Sequence, residues 1–317
     1  MAEKLLEVKE VSKWFTAHGK KLHAVQRVSF DVFPNQTIGL VGESGSGKST
    51  LGRVMLRLLE ADQGKVLFQG KDLRQLSTKE MRKIRKDIQI IFQDPLASLN
   101  QRMTVSAAIE DAMVIQKIGT KVERKKKVDE LLERVGLPSH IGYSYPFELS
   151  GGQQQRVGIA RALSLNPKLI VCDEPISALD VSIQMQIIKL LKDLQQDFNL
   201  AYLFISHNLG VVRYLSHEVI VLYLGEVVEK ATSEQLFRSP KHPYTKILMD
   251  AILKVPTSYE NKKALTTIQG EMPSPFSPPS GCTFHPRCPL ATEDCKHTKP
   301  ALIDRGQGHF VSCNLID

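Results

Sequence analysis

The chain has 317 residues, 42% of them hydrophobic and 24% charged, which is enough to enclose one large core and a smaller second unit. Its 42 lysines and arginines face 34 acidic residues for a formal net charge of +8, and the densest basic run, Lys121 to Lys127, falls on an expected solvated helix face, so nucleic acid is not an expected partner. No apolar run approaches the ~18 residues that span a bilayer, and no secretory h-region opens the sequence, so the expectation is a soluble cytoplasmic polypeptide.

Residues 1 to about 90 read as strand-rich, beginning with the alternating stretches Leu5 to Val11 and Arg27 to Phe33. The apolar run Thr37 to Val41 predicts a buried strand, and a helix is expected from Ser49 onward. Between them Gly42-Glu43-Ser44-Gly45-Ser46-Gly47-Lys48-Ser49 fits the phosphate-loop pattern GxxxxGK followed by Ser or Thr. Glycines there let successive N–H groups converge on phosphate oxygens at the positive end of a helix. Lys48 adds a point charge and the Ser49 hydroxyl, with Thr50 beside it, is placed for Mg2+. The candidate ATP contacts are therefore Gly42, Ser44, Gly45, Ser46, Gly47, Lys48, Ser49 and Thr50.

Ile88 to Phe92 predicts a strand that ends at Gln93. From about Pro95 to Leu165 the pattern turns helical; Val128 to Val135 has apolar positions at helical spacing, with Gly136 as a stop. Leu169 to Glu174 is an apolar strand that delivers two carboxylates at its C-terminal end, the edge where open α/β sheets bind ligands. Asp173 is the candidate Mg2+ ligand, through water. Glu174 is the candidate that polarises the attacking water, a cap on the turn before Pro175 being its structural alternative. Ala201 to Ser206 and Val219 to Leu224 are further apolar strands, and His207 follows the first of them.

Leu149-Ser150-Gly151-Gly152-Gln153, followed by Gln154, Gln155 and Arg156, resembles the signature of ATP-binding cassette (ABC) ATPases. The resemblance implies that Ser150, Gly151, Gly152 and Gln153 sit at a helix N-terminus and touch the γ-phosphate held by a partner subunit. It identifies Gln93 with the Q-loop glutamine, a sensor near Mg2+, and Asp173 with the Walker B aspartate. Ser177-Ala178-Leu179-Asp180 is similar to the D-loop that crosses the dimer interface. His207, 33 residues beyond Glu174, matches the switch histidine. An aromatic residue near the first strand stacks on adenine in that family; Phe15 fits the spacing better than Trp14, and both are available.

Beyond Ser233 the sequence is irregular and proline-rich, as in Glu271 to Pro279, so long regular elements are not expected and something other than a large core should hold the tail. Cys172 lies in an apolar strand and reads as a small buried hydrophobe. Cys282, Cys288, Cys295 and Cys313 fall within the last 36 residues, separated by five, six and seventeen others. In a cytosolic chain that concentration points to a metal centre more than to disulfides. No CxxC pair selects zinc, although His285 could replace one ligand in such a site.

Ser239-Pro240-Lys241-His242-Pro243-Tyr244-Thr245 resembles the segment that opens the C-terminal extension of peptide-permease ATPase subunits, and Gly281 to Cys288 resembles its cysteine-rich part. With Ala178 to Gln184 the likeness covers essentially the whole chain. Phe147 departs from the pattern, relatives often carrying histidine there. The resemblance implies a 4Fe-4S cluster on the four tail cysteines, with zinc or unligated thiols as the alternatives. The expected fold is α/β: a P-loop nucleotide-binding core with an antiparallel β subdomain, a helical signature subdomain at about 95–165, and a small irregular C-terminal extension. The expected domains are 1–235 and 236–317.

The implied function is the ATP-hydrolysing subunit of an importer of dipeptides or oligopeptides, driven by closure and reopening of a nucleotide-binding dimer. Its implied partners are a paralogous ATPase subunit, two transmembrane permease subunits and an extracytoplasmic substrate-binding protein, with the chain at the cytoplasmic face of the membrane. Import of another solute, such as a nickel chelate, glutathione or a murein peptide, is the alternative. A non-transport ABC ATPase fits less well: translation factors carry two cassettes, DNA machines insert long coiled coils before the signature, and a pure scaffold would have replaced Glu174 or His207.

Overall fold

The computed structural model describes residues 3–17, 19–250 and 270–316, so the part of the expected C-terminal extension at 251–269 lies outside the described residues. The chain divides into two compact units, each assembled from separated stretches. One unit contains Val32–Gln36 and Gln75–Ile205; the other contains Leu6–Asp31, Thr37–Arg74 and Ser206–Asp317.

The first unit is built on three parallel strands, Ile88–Ile91, Leu169–Asp173 and Ala201–Ile205, with Ile91 opposite Cys172 and Asp173 opposite Ile205. Every residue of the second and third strands is buried, as strands covered on both faces require. Cys172 is fully buried there, as its apolar setting implies, and burial pushes its thiol pKa up. The unit's longer helices are Val105–Ile115, Lys121–Arg134, Gly151–Leu163 and Val181–Phe198. Their starts are written locally: Thr104 caps the first, and Thr120 with Glu123 forms a capping box on the second. That second helix buries Val128, Leu131 and Leu132 and leaves most of its basic run to solvent. Gly136, at φ 74, follows its C-cap, and Asn199, at φ 52, ends the last helix in the left-handed region.

The second unit holds two sheets. In the antiparallel one, Leu6–Ala17 lies between Lys20–Val32 and Gln63–Phe68, with Lys71–Asp72 at the edge. Both long strands outrun the stretches expected from alternation. In the other sheet Thr37–Val41 runs parallel to Glu218–Tyr223, which pairs antiparallel with Glu226–Thr232.

The regular elements of the tail are short. Phe310–Val311 adds antiparallel to Glu226–Thr232, and Ile303–Asp304 adds to Phe310–Val311, so the tail extends the sheet. Helices Ser233–Arg238 and Pro243–Asp250 precede it. A small packed core holds it: Tyr223, Tyr244 and Phe284 are at most 1% exposed, with ring centroids 4.8 to 5.3 Å apart. Fully buried Glu229 accepts backbone N–H bonds from Lys241 at 2.7 Å and His242 at 2.9 Å, and meets His309 Nε2 at 2.6 Å. The tail is thus held by a small aromatic cluster and a buried carboxylate rather than by a large core. Among the described residues, no helix is long and apolar enough to cross a membrane.

Candidate functional site

In the second unit the buried strand Thr37–Val41 feeds the phosphate loop, and helix Lys48–Met55 leaves it. Gly42, Gly45 and Gly47 have φ of 149, 81 and 100. A Cβ on Gly42 would stand 2.2 Å from the Leu222 carbonyl oxygen, and one on Gly47 would stand 2.0 Å from that of Ala24. The loop thus needs glycine twice over, for conformation and for space. Lys48 is only 5% exposed, and its Nζ donates to the carbonyls of Gly42 at 2.9 Å and Glu43 at 2.8 Å and to Ser46 Oγ at 3.3 Å. The ammonium is therefore folded over the loop, centred on the cradle its backbone forms. Ser49 and Thr50 follow on the first turn of the helix, and exposed His207 precedes Asn208, which caps helix Leu209–Leu215.

The two candidate adenine contacts differ in setting. Trp14 donates its backbone N–H to Asp62 at 2.8 Å, lies 6.1 Å from the His23 ring, and has Lys21 Nζ 4.6 Å above it. Phe15 is 38% exposed, with Lys13 Nζ 5.4 Å from its ring.

In the first unit Asp173 is 4% exposed at the C-terminal end of its strand. Glu174 follows at φ 48, a left-handed conformation rare for a residue with a long side chain, and its N–H donates to the Ile205 carbonyl at 3.0 Å. Gln93 Nε2 donates to Glu174 Oε2 at 3.3 Å, so these two candidates are brought together although they stand 81 positions apart. Strain of about 1–3 kcal/mol at such a backbone persists where neighbours over-determine it. Here the hydrogen bond to the adjacent strand does so.

Ser150 caps helix Gly151–Leu163 in a box, its Oγ accepting from Gln153 N–H at 3.4 Å while Gln153 Oε1 accepts from Ser150 N–H at 3.0 Å. Gly151 and Gly152 open the first turn. A Cβ on Gly151 would lie 3.5 Å from Leu179, and one on Gly152 would lie 2.7 Å from Ile183 Cγ2, so the D-loop segment packs beside the signature. Asp180 is the N-cap of the next helix but makes no side-chain cap bond and is exposed. Next to it Val181 is 77% and Met185 56% exposed.

Cys282, Cys288, Cys295 and Cys313 all line one cavity with His242, Phe284 and His285. Burial pushes Cys282 up to about 11 and raises Cys288 and Cys313. His285 Nδ1 stands 2.9 Å from the Cys282 carbonyl oxygen. Among the described residues, no three His, Cys, Asp or Glu side chains stand close enough to hold a single metal ion.

Three residues outside the expected set touch the loop. Arg287 grips the Glu43 carboxylate at 2.8 and 3.1 Å, Tyr244 OH accepts from Glu43 N–H at 2.9 Å, and Met272 Sδ would lie 3.9 Å from a Cβ on Gly45. Arg287 and Tyr244 fall inside the tail motifs that the sequence singles out, but no local pattern ties them to a loop some 200 residues earlier.

The ABC transporter family matches residues 25–177, and the oligopeptide/dipeptide transporter C-terminal region matches residues 228–295. The oligopeptide transport ATP-binding protein AppF of Bacillus subtilis is 47% identical over 321 residues, covering 99% of this chain and 98% of its own. A putative peptide import ATP-binding protein of Brucella ovis is 48% identical over 309 residues, with 98% and 97% covered. Among solved structures, a dimeric ATP-binding cassette in a post-hydrolysis state bound to ADP and Pi is 30% identical, with a TM-score of 0.66 over 72% of this chain and 98% of that one. The near full-length identity and the intact nucleotide motifs place this chain in the ABC transporter ATPase family, with the C-terminal region of its oligopeptide/dipeptide branch.

Proposed function

We propose that this chain hydrolyses ATP to power a membrane importer of dipeptides or oligopeptides. The observation that carries the ATPase reading is the Gln93–Glu174 pair beside buried Asp173, in a chain whose phosphate loop is intact. Lys48 and the loop N–H groups take the β- and γ-phosphates. Glu174 orients and polarises the attacking water, Gln93 fixes the carboxylate, and His207 reaches the γ-phosphate from the end of its own strand. The hydroxyl of Ser49, the amide of Gln93 and the carboxylate of Asp173 are hard oxygen donors of the kind Mg2+ selects. When bound, Mg2+ neutralises charge on the phosphates during transfer.

Two chains act together in this reading, each ATP held by the Lys48 loop of one and the Ser150 signature of the other. Its support is the uncapped carboxylate of Asp180 and the exposed Val181 and Met185 beside it, with the dimeric state named for the related cassette. A paralogue is the proposed partner. Two permease subunits and an extracytoplasmic binding protein complete the importer, and the chain binds peripherally at the cytoplasmic face. The peptide substrate rests on the names of the relatives and on the shared C-terminal region.

The 4Fe-4S cluster is part of the proposal. Four thiols around one cavity suit the chemistry of such a cluster, with zinc as the alternative.

The test is anaerobic purification with the co-expressed permease subunits, then metal content and ATPase rate with and without peptide and binding protein. Peptide-stimulated hydrolysis with about four irons per chain supports the proposal. Hydrolysis indifferent to peptide removes the substrate assignment, and iron-free protein of full activity removes the cluster.

A further inference from the structure

Glu43 places a carboxylate inside a loop built to attract phosphate. Left alone, that charge opposes the nucleotide it flanks. The C-terminal region supplies the counter-charge: Arg287 donates to Glu43 from Nη1 at 2.8 Å and Nη2 at 3.1 Å, the forked geometry that is strongest for a guanidinium. The Arg287 side chain is 7% exposed and that of Glu43 26%, so the pair is partly shielded from solvent. Arg287 is itself fixed, its Nη1 lying 3.4 Å from Tyr223 OH and its guanidinium 5.9 Å from the centre of that ring. On the backbone side, buried Tyr244 accepts the Glu43 N–H at 2.9 Å and so fixes the orientation of the loop's second peptide.

We propose that Arg287 and Tyr244 are positioning residues for ATP: they neutralise and orient Glu43, so the nucleotide affinity of the phosphate loop depends on the C-terminal region being folded against it. Arg287 ends the turn His285–Arg287, between Cys282 and Cys288. The proposal deepens the ATPase reading and rests on it.

The experiment measures the dissociation constant of a fluorescent ATP analogue with Mg2+ on the full-length chain, alongside a thermal melt of each variant. Arg287→Ala is expected to weaken binding about tenfold, as loss of a charge-assisted pair implies, with Arg287→Lys recovering part of it. In a Glu43→Gln background the Arg287→Ala step is expected to cost less than about threefold, because the charge that needed the guanidinium is gone. Tyr244→Phe is expected to weaken binding about threefold, by leaving a loop N–H unpaired. If Arg287→Ala melts too early to measure, Arg287→Lys in the two backgrounds reads the same coupling. Unchanged affinity in the Arg287 variants, or an equal loss in the wild-type and Glu43→Gln backgrounds, overturns the proposal and leaves Arg287 a folding role only. A wild-type chain that binds no ATP overturns the ATPase reading itself, and this inference with it.

Discussion

At the scale of single residues, the phosphate loop joins a backbone that only glycine permits to one buried ammonium. Because Lys48 Nζ is held by the carbonyls of Gly42 and Glu43, Lys48→Ala is expected to weaken ATP binding by tenfold or more, about 1.4 kcal/mol at the least. Equilibrium titration with labelled nucleotide checks this, and unimpaired affinity would remove Lys48 from the site. Gly42→Ala should act differently. Its Cβ would meet the Leu222 carbonyl oxygen at 2.2 Å, backbone that cannot swing aside. The expected outcome is a loss of roughly 2–4 kcal/mol in stability, read as a lower melting temperature. Lys48, Ser49 and the glycines are legible in the sequence because their chemistry is local, eight residues in a fixed order. The pairing of Gln93 with Glu174 is not legible there, and neither is that of Glu43 with Arg287, whose partners stand 244 positions apart. Motifs locate these groups, but only the sheet and the tail fold decide which of them meet.

At the scale of elements, buried apolar runs are legible nearly to the residue: Thr37–Val41 stands as expected, and Ala201–Ile205 and Leu169–Asp173 each stop one residue short. The hairpin strands Leu6–Ala17 and Lys20–Val32 exceed their expected lengths, since their outer ends are largely exposed and carry no alternation. The strands Ile303–Asp304 and Phe310–Val311 escape a sequence reading because a two-residue strand has no period to detect. Just before helix Pro243–Asp250, buried His242 donates its N–H to Glu229 and lies 5.8 Å from the Phe284 ring, and its titration gives a test. Desolvation lowers the His242 pKa to about 4, against the opposing pull of Glu229 and a backbone bond at Ser312, while Lys246 adds to the lowering. The folded protein thus binds fewer protons at this group than the unfolded chain between about 4 and 6.5. This contribution is complete above pH ~6.5 and falls by about 1.4 kcal/mol per unit as pH drops through that window, on the order of 3 kcal/mol in total. A melting-temperature series against pH should show the fall, and His242→Gln should flatten it. An equally steep fall in the variant would assign the acid sensitivity to other groups.

At the scale of the whole molecule, the proposed composite site would make turnover a property of two chains. The signature helix opens with exposed Gly151 and with Gly152 packed against Ile183, and its Ser150 Oγ accepts the Gln153 N–H at 3.4 Å, which leaves the hydroxyl proton to donate to an anion. In the proposed dimer, ATP held between the chains keeps the pair closed while its γ-phosphate is intact. Glu174→Gln keeps the Gln93 neighbour and the shape of the site but lacks the carboxylate that polarises water. It should therefore bind ATP, lose nearly all turnover and accumulate as a closed dimer. Sedimentation with and without Mg-ATP reads this directly, and rapid hydrolysis by the variant would take the base role from Glu174. The interface can be challenged separately at Val181, 77% exposed beside the D-loop. Val181→Arg in the Glu174→Gln background should keep the ATP affinity of a single chain, since Val181 is not among the proposed contacts to that chain's own nucleotide, yet prevent the ATP-dependent dimer. A stable interface buries about 1,200–2,000 Å² and tolerates an unpaired desolvated charge poorly. Dimerisation that persists in the double variant would move the interface away from the D-loop face and leave Asp180 without its proposed place.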